Sequence, residues 1–218
     1  MAYHLSPHLH HAVADGRNIF LDLKRDRYFA LGDRQDQAFT RWWSGEILSE
    51  QDHHILSRLA QTGIVRTGAA MSARRIDALP GRISALDAAD DDRVAISALG
   101  TAVLAILAAK HRHRGALGAS LARVSRHALP SRSGFELATV IRHAHAFHRA
   151  ALLTRTRDQC VPCSVALTIH LRRRAIPARL IIGVSGRPFA AHCWVQVDDI
   201  IVNDMTDHVA AFVPILVR

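Results

Sequence analysis

The sequence predicts an α+β chain in which strands and helices are segregated rather than alternating. Three observations lead there. Short alternating strands open the chain and give way to helices from about residue 33, longer helical runs fill the middle, and short apolar strands return near the C-terminus. The interval 67–91 lacks clear periodicity and carries Gly68, Pro80, Gly81 and the acidic run Asp90, Asp91, Asp92. It is the linker candidate, so two domains are expected, 1–80 and 81–218.

In the first domain, strands are expected over 9–13, 18–23 and 28–31. The first two are separated by the turn signal Ala14, Asp15, Gly16, and the last two by the polar stretch Lys24, Arg25, Asp26, Arg27. Ile19, Leu21 and Leu23 fall on one strand face. A short helix follows around Gln37, Phe39 and Trp43. Ser49 is the expected N-cap of a second helix that runs to about Gln61 and stops at Thr62 and Gly63.

In the second domain, helices are expected over 93–111, 118–127 and 135–150, and another begins at Cys160. Pro162 suits its first turn, where a backbone N–H has no helical partner. Arg172, Arg173 and Arg174 complement the negative end of its dipole. Ile176 and Pro177 break it. Strands are then expected over 178–184, 192–197 and 201–204, with turns at Gly186, Arg187, Pro188 and at Asp198, Asp199.

Composition narrows the function classes. Of 218 residues, 49% are apolar and 22% charged, an ordinary soluble globular balance. The net charge of +9 favours acidic partners without choosing among them. The expected second helix carries Glu50 and Asp52 with only Arg58, a poor match for phosphate contacts, so no nucleic-acid partner is expected. No Gly-rich phosphate loop is visible and no nucleotide site or cofactor is expected. The N-terminus shows no signal-peptide pattern. The longest apolar run, 94–109, falls short of the ~20 residues that span a bilayer. A cytoplasmic protein without a membrane span is expected. Three sparse cysteines, Cys160, Cys163 and Cys193, do not form a secreted disulfide framework.

The chemistry concentrates near the C-terminus. A thiol becomes a nucleophile as the thiolate, which helix N-termini and imidazolium neighbours favour. Cys160 stands at an expected helix start. His192 opens an apolar strand, and Asp204 ends the next one, where a buried carboxylate needs a partner. Cys160 as nucleophile, His192 as base and Asp204 as its orienting residue is one reading. With a two-residue turn at Asp198 and Asp199, His192 would pair with Met205 and Asp204 would face the wrong side. The triad therefore predicts a three-residue loop or a bulge. Two other readings stay open on the residues alone. Cys160 and Cys163 are spaced as a thioredoxin-like redox pair, although the polar stretch 152–159 makes a poor preceding strand. A zinc site would recruit Cys160, Cys163, His192 and Cys193, but adjacent His192 and Cys193 point to opposite strand faces. The pairs His8/His10, His111/His113 and His143/His145 diverge at helical spacing and read as surface. No metal is expected.

Four segments carry a resemblance: CVPCSVAL over 160–167, LRRRAIPARLIIGV over 171–184, PFAAHCWVQV over 188–197 and VND over 202–204. Together, over about 45 residues, they resemble the lasso peptide maturation B proteins, cysteine leader peptidases with a transglutaminase-like, papain-related core. The resemblance places that family's nucleophile, base and orienting acid on Cys160, His192 and Asp204. The family usually has Arg where Cys163 stands and often Ala where Cys193 stands. It further implies that 1–80 is a winged-helix-like domain whose sheet edge takes the precursor's leader as an added strand. Tyr28, Phe29, Ala30, Leu31, His54 and Arg58 would then line the leader groove. The implied partners are a lasso precursor peptide and an ATP-dependent, asparagine-synthetase-like macrolactam synthetase.

Overall fold

The computed structural model describes residues 3–68, 81–88, 94–113, 117–131, 134–154 and 159–218. In chain order the elements are β1 (Tyr3–Leu5), β2 (Leu9–Ala14), β3 (Arg17–Asp22), β4 (Arg27–Ala30), α1 (Asp33–Ser44), α2 (Glu50–Gln61) and β5 (Val65–Thr67). Then come β6 (Ile83–Ser84), α3 (Ile96–His113), α4 (Leu117–Ser125), α5 (Leu137–Leu153) and α6 (Cys160–Arg172). The chain closes with β7 (Ala178–Ser185), β8 (Ala190–Val197), β9 (Ile200–Ile201), α7 (Thr206–Ala210) and β10 (Val213–Val217). The architecture is α+β, as the segregated periodicities predict. Most of the expected linker, and residue 80 itself, lie outside the described residues.

β2, β3 and β4 form an antiparallel sheet in that order, while β1 pairs with β5. The β2–β3 turn has two residues, Asp15 and Gly16, with φ of 49° and 73°. Left-handed backbone at both positions suits a tight hairpin, where Asp and Gly are favoured. β3 departs from simple alternation because it is buried on both faces. Phe20 stacks on Phe29 at 5.0 Å and packs with Phe39, Leu56 and Leu59 of the helices. Ile19 and Leu21 point the other way. They join Leu121, Val165, Leu180, Ile182 and Ile215 in a single core shared by the N- and C-terminal parts. Burial on both faces turns an alternating strand into a continuous apolar one.

Ser49 caps α2 as the sequence predicts. Its hydroxyl accepts from the Asp52 N–H, and the Asp52 carboxylate accepts from the Ser49 N–H, a complete capping box. The Arg41 guanidinium donates to the same carboxylate and so ties α1 to α2.

The second sheet has the order β10-β7-β8-β9-β6, antiparallel except for the β6–β9 pair. α6 lies across it, covered by α3, α4 and α5. Its residues are buried on nearly every side, which is why its sequence is apolar all round. Arg172, at the helix end where it complements the dipole, is buried. Its guanidinium donates to the carbonyls of Ala178, Val124 and His127 and joins the ends of α6, α4 and β7.

Beside it, His170 contacts His143 at 3.3 Å. Burial, then the positive charge of Arg174, lowers His170 from the ordinary 6.5 to about 4. His143 is lowered for the same two reasons. The unfolded chain therefore binds more protons between these values. The contribution is complete above about pH 6.5 and is lost as pH falls toward 4. Denaturant unfolding at pH 7 and pH 5 should give a lower midpoint at pH 5. His170→Gln should reduce that difference.

Candidate active site

Cys160 is the first residue of α6, and the preceding Gln159 makes no side-chain cap. The N–H groups of that first turn have no acceptor within an α-helix, so they face whatever lies before it. The Gln159 amide oxygen accepts from Lys110 Nζ of α3 at 3.1 Å, which fixes the residue before the thiol.

His192 sits on β8, opposite Gly183 of β7. Its Nε2 hydrogen-bonds to Asp204 Oδ2, and the Cys160 side chain lies near enough to the ring to favour its protonated form. Burial works against a charged His192. The Asp204 carboxylate, which accepts from the ring N–H, outweighs it together with the nearby Cys160 sulfur and raises the imidazole to about 9. Burial likewise opposes ionised Asp204. Hydrogen bonds from His192, His208 and the Met205 N–H outweigh it, holding the carboxyl below its ordinary value. Cys160, His192 and Asp204, which the sequence placed on helix, strand and strand end, are thus brought together.

The route by which Asp204 reaches His192 differs from expectation. Val197 pairs with Ile200, so the turn has two residues, Asp198 and Asp199, and not three. Asp198 takes a left-handed φ of 52°. The strand instead ends at Ile201, and the chain bends over 202–204. The Asn203 side chain makes this bend work: its Oδ1 accepts from the Val195 N–H at 2.8 Å, a bond that a longer strand would have supplied from backbone. Asn203 Nδ2 donates to Ser164 Oγ at 3.0 Å, and that hydroxyl donates to the Cys193 carbonyl at 2.9 Å. One buried network therefore fixes α6, β8 and the bend, the three pieces carrying the triad.

Ring packing completes the environment of His192. Trp194 lies parallel to it at 6.1 Å, with Phe212 at 5.3 Å and His208 at 4.7 Å. A Cβ at Gly183 would come within 2.7 Å of the Trp194 ring and 2.8 Å of Phe212 Cβ. Gly183→Ala should cost about 1–3 kcal/mol of stability as the two aromatics are displaced. Thermal or denaturant unfolding checks it.

The other two thiols lie elsewhere. Cys193 is buried on the opposite face of β8 from His192, against Leu180 and Ile182, and burial pushes its thiol up. Cys163 packs toward α3 and α5, and burial pushes it up to about 11. The four-ligand zinc arrangement is therefore not assembled, because Cys163 and Cys193 do not turn to His192. Among the described residues, His192, Asp204 and His208 have ligand atoms within 4.8 Å of one another. Both imidazoles already share the Asp204 carboxylate there. His208 was missed in the sequence. The signal was present, since Asp204 and His208 stand four apart with His208 on α7, and its Nδ1 meets Asp204 Oδ1 at 2.9 Å.

The six residues assigned to a leader groove do not share one face. Phe29 packs inward on Phe20, Leu31 is buried in the same cluster, and Ala30 is exposed. Tyr28 turns to the C-terminal part and packs on Phe189 at 5.5 Å. His54 and Arg58 line a groove of about 500 Å³ with Ile55, Gln51 and the start of α1 from Gly32 to Gln35. The outer edge of β4 pairs with no strand among the described residues.

No helix among the described residues is long and apolar enough to cross a membrane. No solved structure matches the chain. Over 48 residues it is 42% identical to the Microcin J25-processing protein McjB of Escherichia coli. That match covers 22% of this chain and 23% of that protein. A family model described as the transglutaminase-like superfamily matches residues 99–217, the region holding α6, β7, β8 and the 202–204 bend. Matched over more than half its length, the chain belongs to the transglutaminase-like superfamily.

Proposed function

We propose that this protein is a cysteine peptidase that binds the leader of a lasso peptide precursor and removes it before macrolactam formation. The observation that carries this reading is the Cys160–His192–Asp204 contact at the start of α6. The superfamily and the similarity to a Microcin J25-processing protein support it.

The chemistry follows from the geometry. The Cys160 thiolate attacks the carbonyl of the last leader residue. The N–H groups at the α6 N-terminus point at the developing oxyanion. His192, protonated, gives its proton to the departing amine of the core peptide, leaving a thioester on Cys160. Water, deprotonated by His192, then releases the leader as a free acid and restores the thiol. Asp204 holds the ring through Nε2 and stabilises the imidazolium. The leader docks at the open β4 edge and the groove of His54 and Arg58, which raises the local concentration of the scissile bond. The freed core peptide passes to an ATP-dependent, asparagine-synthetase-like partner.

Incubating the protein with a precursor peptide and weighing the products by mass spectrometry tests this. Two fragments that sum to the precursor plus one water are expected, and Cys163→Ala protein should produce them too. Transfer of a disulfide, with no hydrolysis, would favour the redox pair instead.

A further inference from the structure

Tyr28 belongs to the strand whose open edge we assign to the leader, yet its ring leaves that groove. It joins the cluster against which Cys160 and Val161 also pack. Its phenol is raised by burial first, then by the nearness of Cys193 and Cys160. Facing it is Phe189, an exposed aromatic at the β7–β8 turn, three residues before His192.

Two latches hold this junction. The Asp15 carboxylate, in the β2–β3 turn, accepts from the Gly186 and Arg187 N–H groups at 3.0 and 2.8 Å. Gly186 lies so close that a Cβ there would meet the Ala14 carbonyl at 2.8 Å. In the β3–β4 turn, Asp26 accepts from the Leu117 N–H at 3.1 Å, at the start of α4. The N-terminal sheet is thereby held against the hairpin that carries His192. A peptide paired along β4 covers the distance from Gly32 to Tyr28 in about four residues, or ~13 Å.

We propose that Tyr28 and Phe189 form an aromatic subsite, built from both parts of the chain, that grips the precursor residues running from the leader groove to Cys160. The proposal rests on the leader-peptidase reading. The subsite takes an extended peptide segment and recognises its side chains by apolar and ring contact. It makes the N-terminal part a wall of the cleavage site as well as a tether.

The test uses the full chain with Tyr28→Ala, Tyr28→Phe and Phe189→Ala. Three quantities are read: Kd for a fluorescent leader peptide, kcat/KM on the whole precursor, and the rate of Cys160 alkylation by iodoacetamide. Both alanine variants are expected to lose at least ten-fold in kcat/KM, with leader Kd and alkylation rate within about two-fold. Tyr28→Phe should keep most of the activity, because the ring is retained. Unchanged cleavage in both alanine variants would overturn the subsite alone. So would a loss of cleavage matched by an equal loss of alkylation, which would make Tyr28 a support for Cys160. A wild-type protein that binds the leader but never cuts the precursor would overturn the peptidase reading and the subsite with it.

Discussion

Cys160→Ala is expected to lower kcat for precursor cleavage on the order of 10⁶-fold, the scale on which removal of a catalytic nucleophile acts. Neither remaining thiol can take over. Cys163 packs toward α3 and α5 and is pushed up to about 11, so little of it is thiolate at neutral pH. Cys193 is buried on the far side of β8. The leader should still bind Cys160→Ala protein with unchanged Kd, because the β4 edge and its groove lie on other elements. Residual cleavage within ten-fold of wild type would remove Cys160 from the mechanism.

Asp204→Asn is expected to lower kcat about 10⁴-fold, as loss of the orienting acid does in triads of this type. The amide keeps the shape and removes the charge that raises His192. The pH profile carries the sharper signature. With His192 at about 9, wild-type activity should persist through neutral pH and fall as pH rises through 9, where the imidazolium is lost. In Asp204→Asn protein this alkaline limb should move down toward the ordinary imidazole value. The same pair contributes to folding. The His192 part is present below about pH 6.5 and lost as pH rises through 9, while the Asp204 part is lost as pH falls through its lowered value. The His208 contact with Asp204 Oδ1 cannot compensate, since it depends on the same carboxylate.

Much of this was legible in the residues because it is local. Cys160 beside Pro162, an apolar run and a terminal Arg cluster defines the start and end of α6. Ser49 with Asp52 defines the start of α2. Asp15 with Gly16 defines a hairpin. Non-local features were not legible. The bend at 202–204 depends on Asn203 reaching Val195 and Ser164, a network that alternation along the strand cannot reveal. Arg172 reads as a surface charge until three carbonyls from other elements converge on it. Tyr28 shares its strand with residues assigned to the groove, but period-two geometry turns it to the opposite face, toward a partner 161 positions away. β1, β5, β6 and β10 are too short or too dependent on distant partners to stand out in sequence.

A cysteine peptidase passes through a covalent acyl-enzyme, which can be trapped on Cys160. Wild-type protein should be mixed with precursor, quenched in acid within one turnover, and digested for mass spectrometry. The expected result is the leader attached as a thioester to the peptide containing Cys160, absent from Cys160→Ala protein and sensitive to hydroxylamine. A leader adduct on Cys163 or Cys193, or cleavage at full rate with no thioester formed, would contradict it.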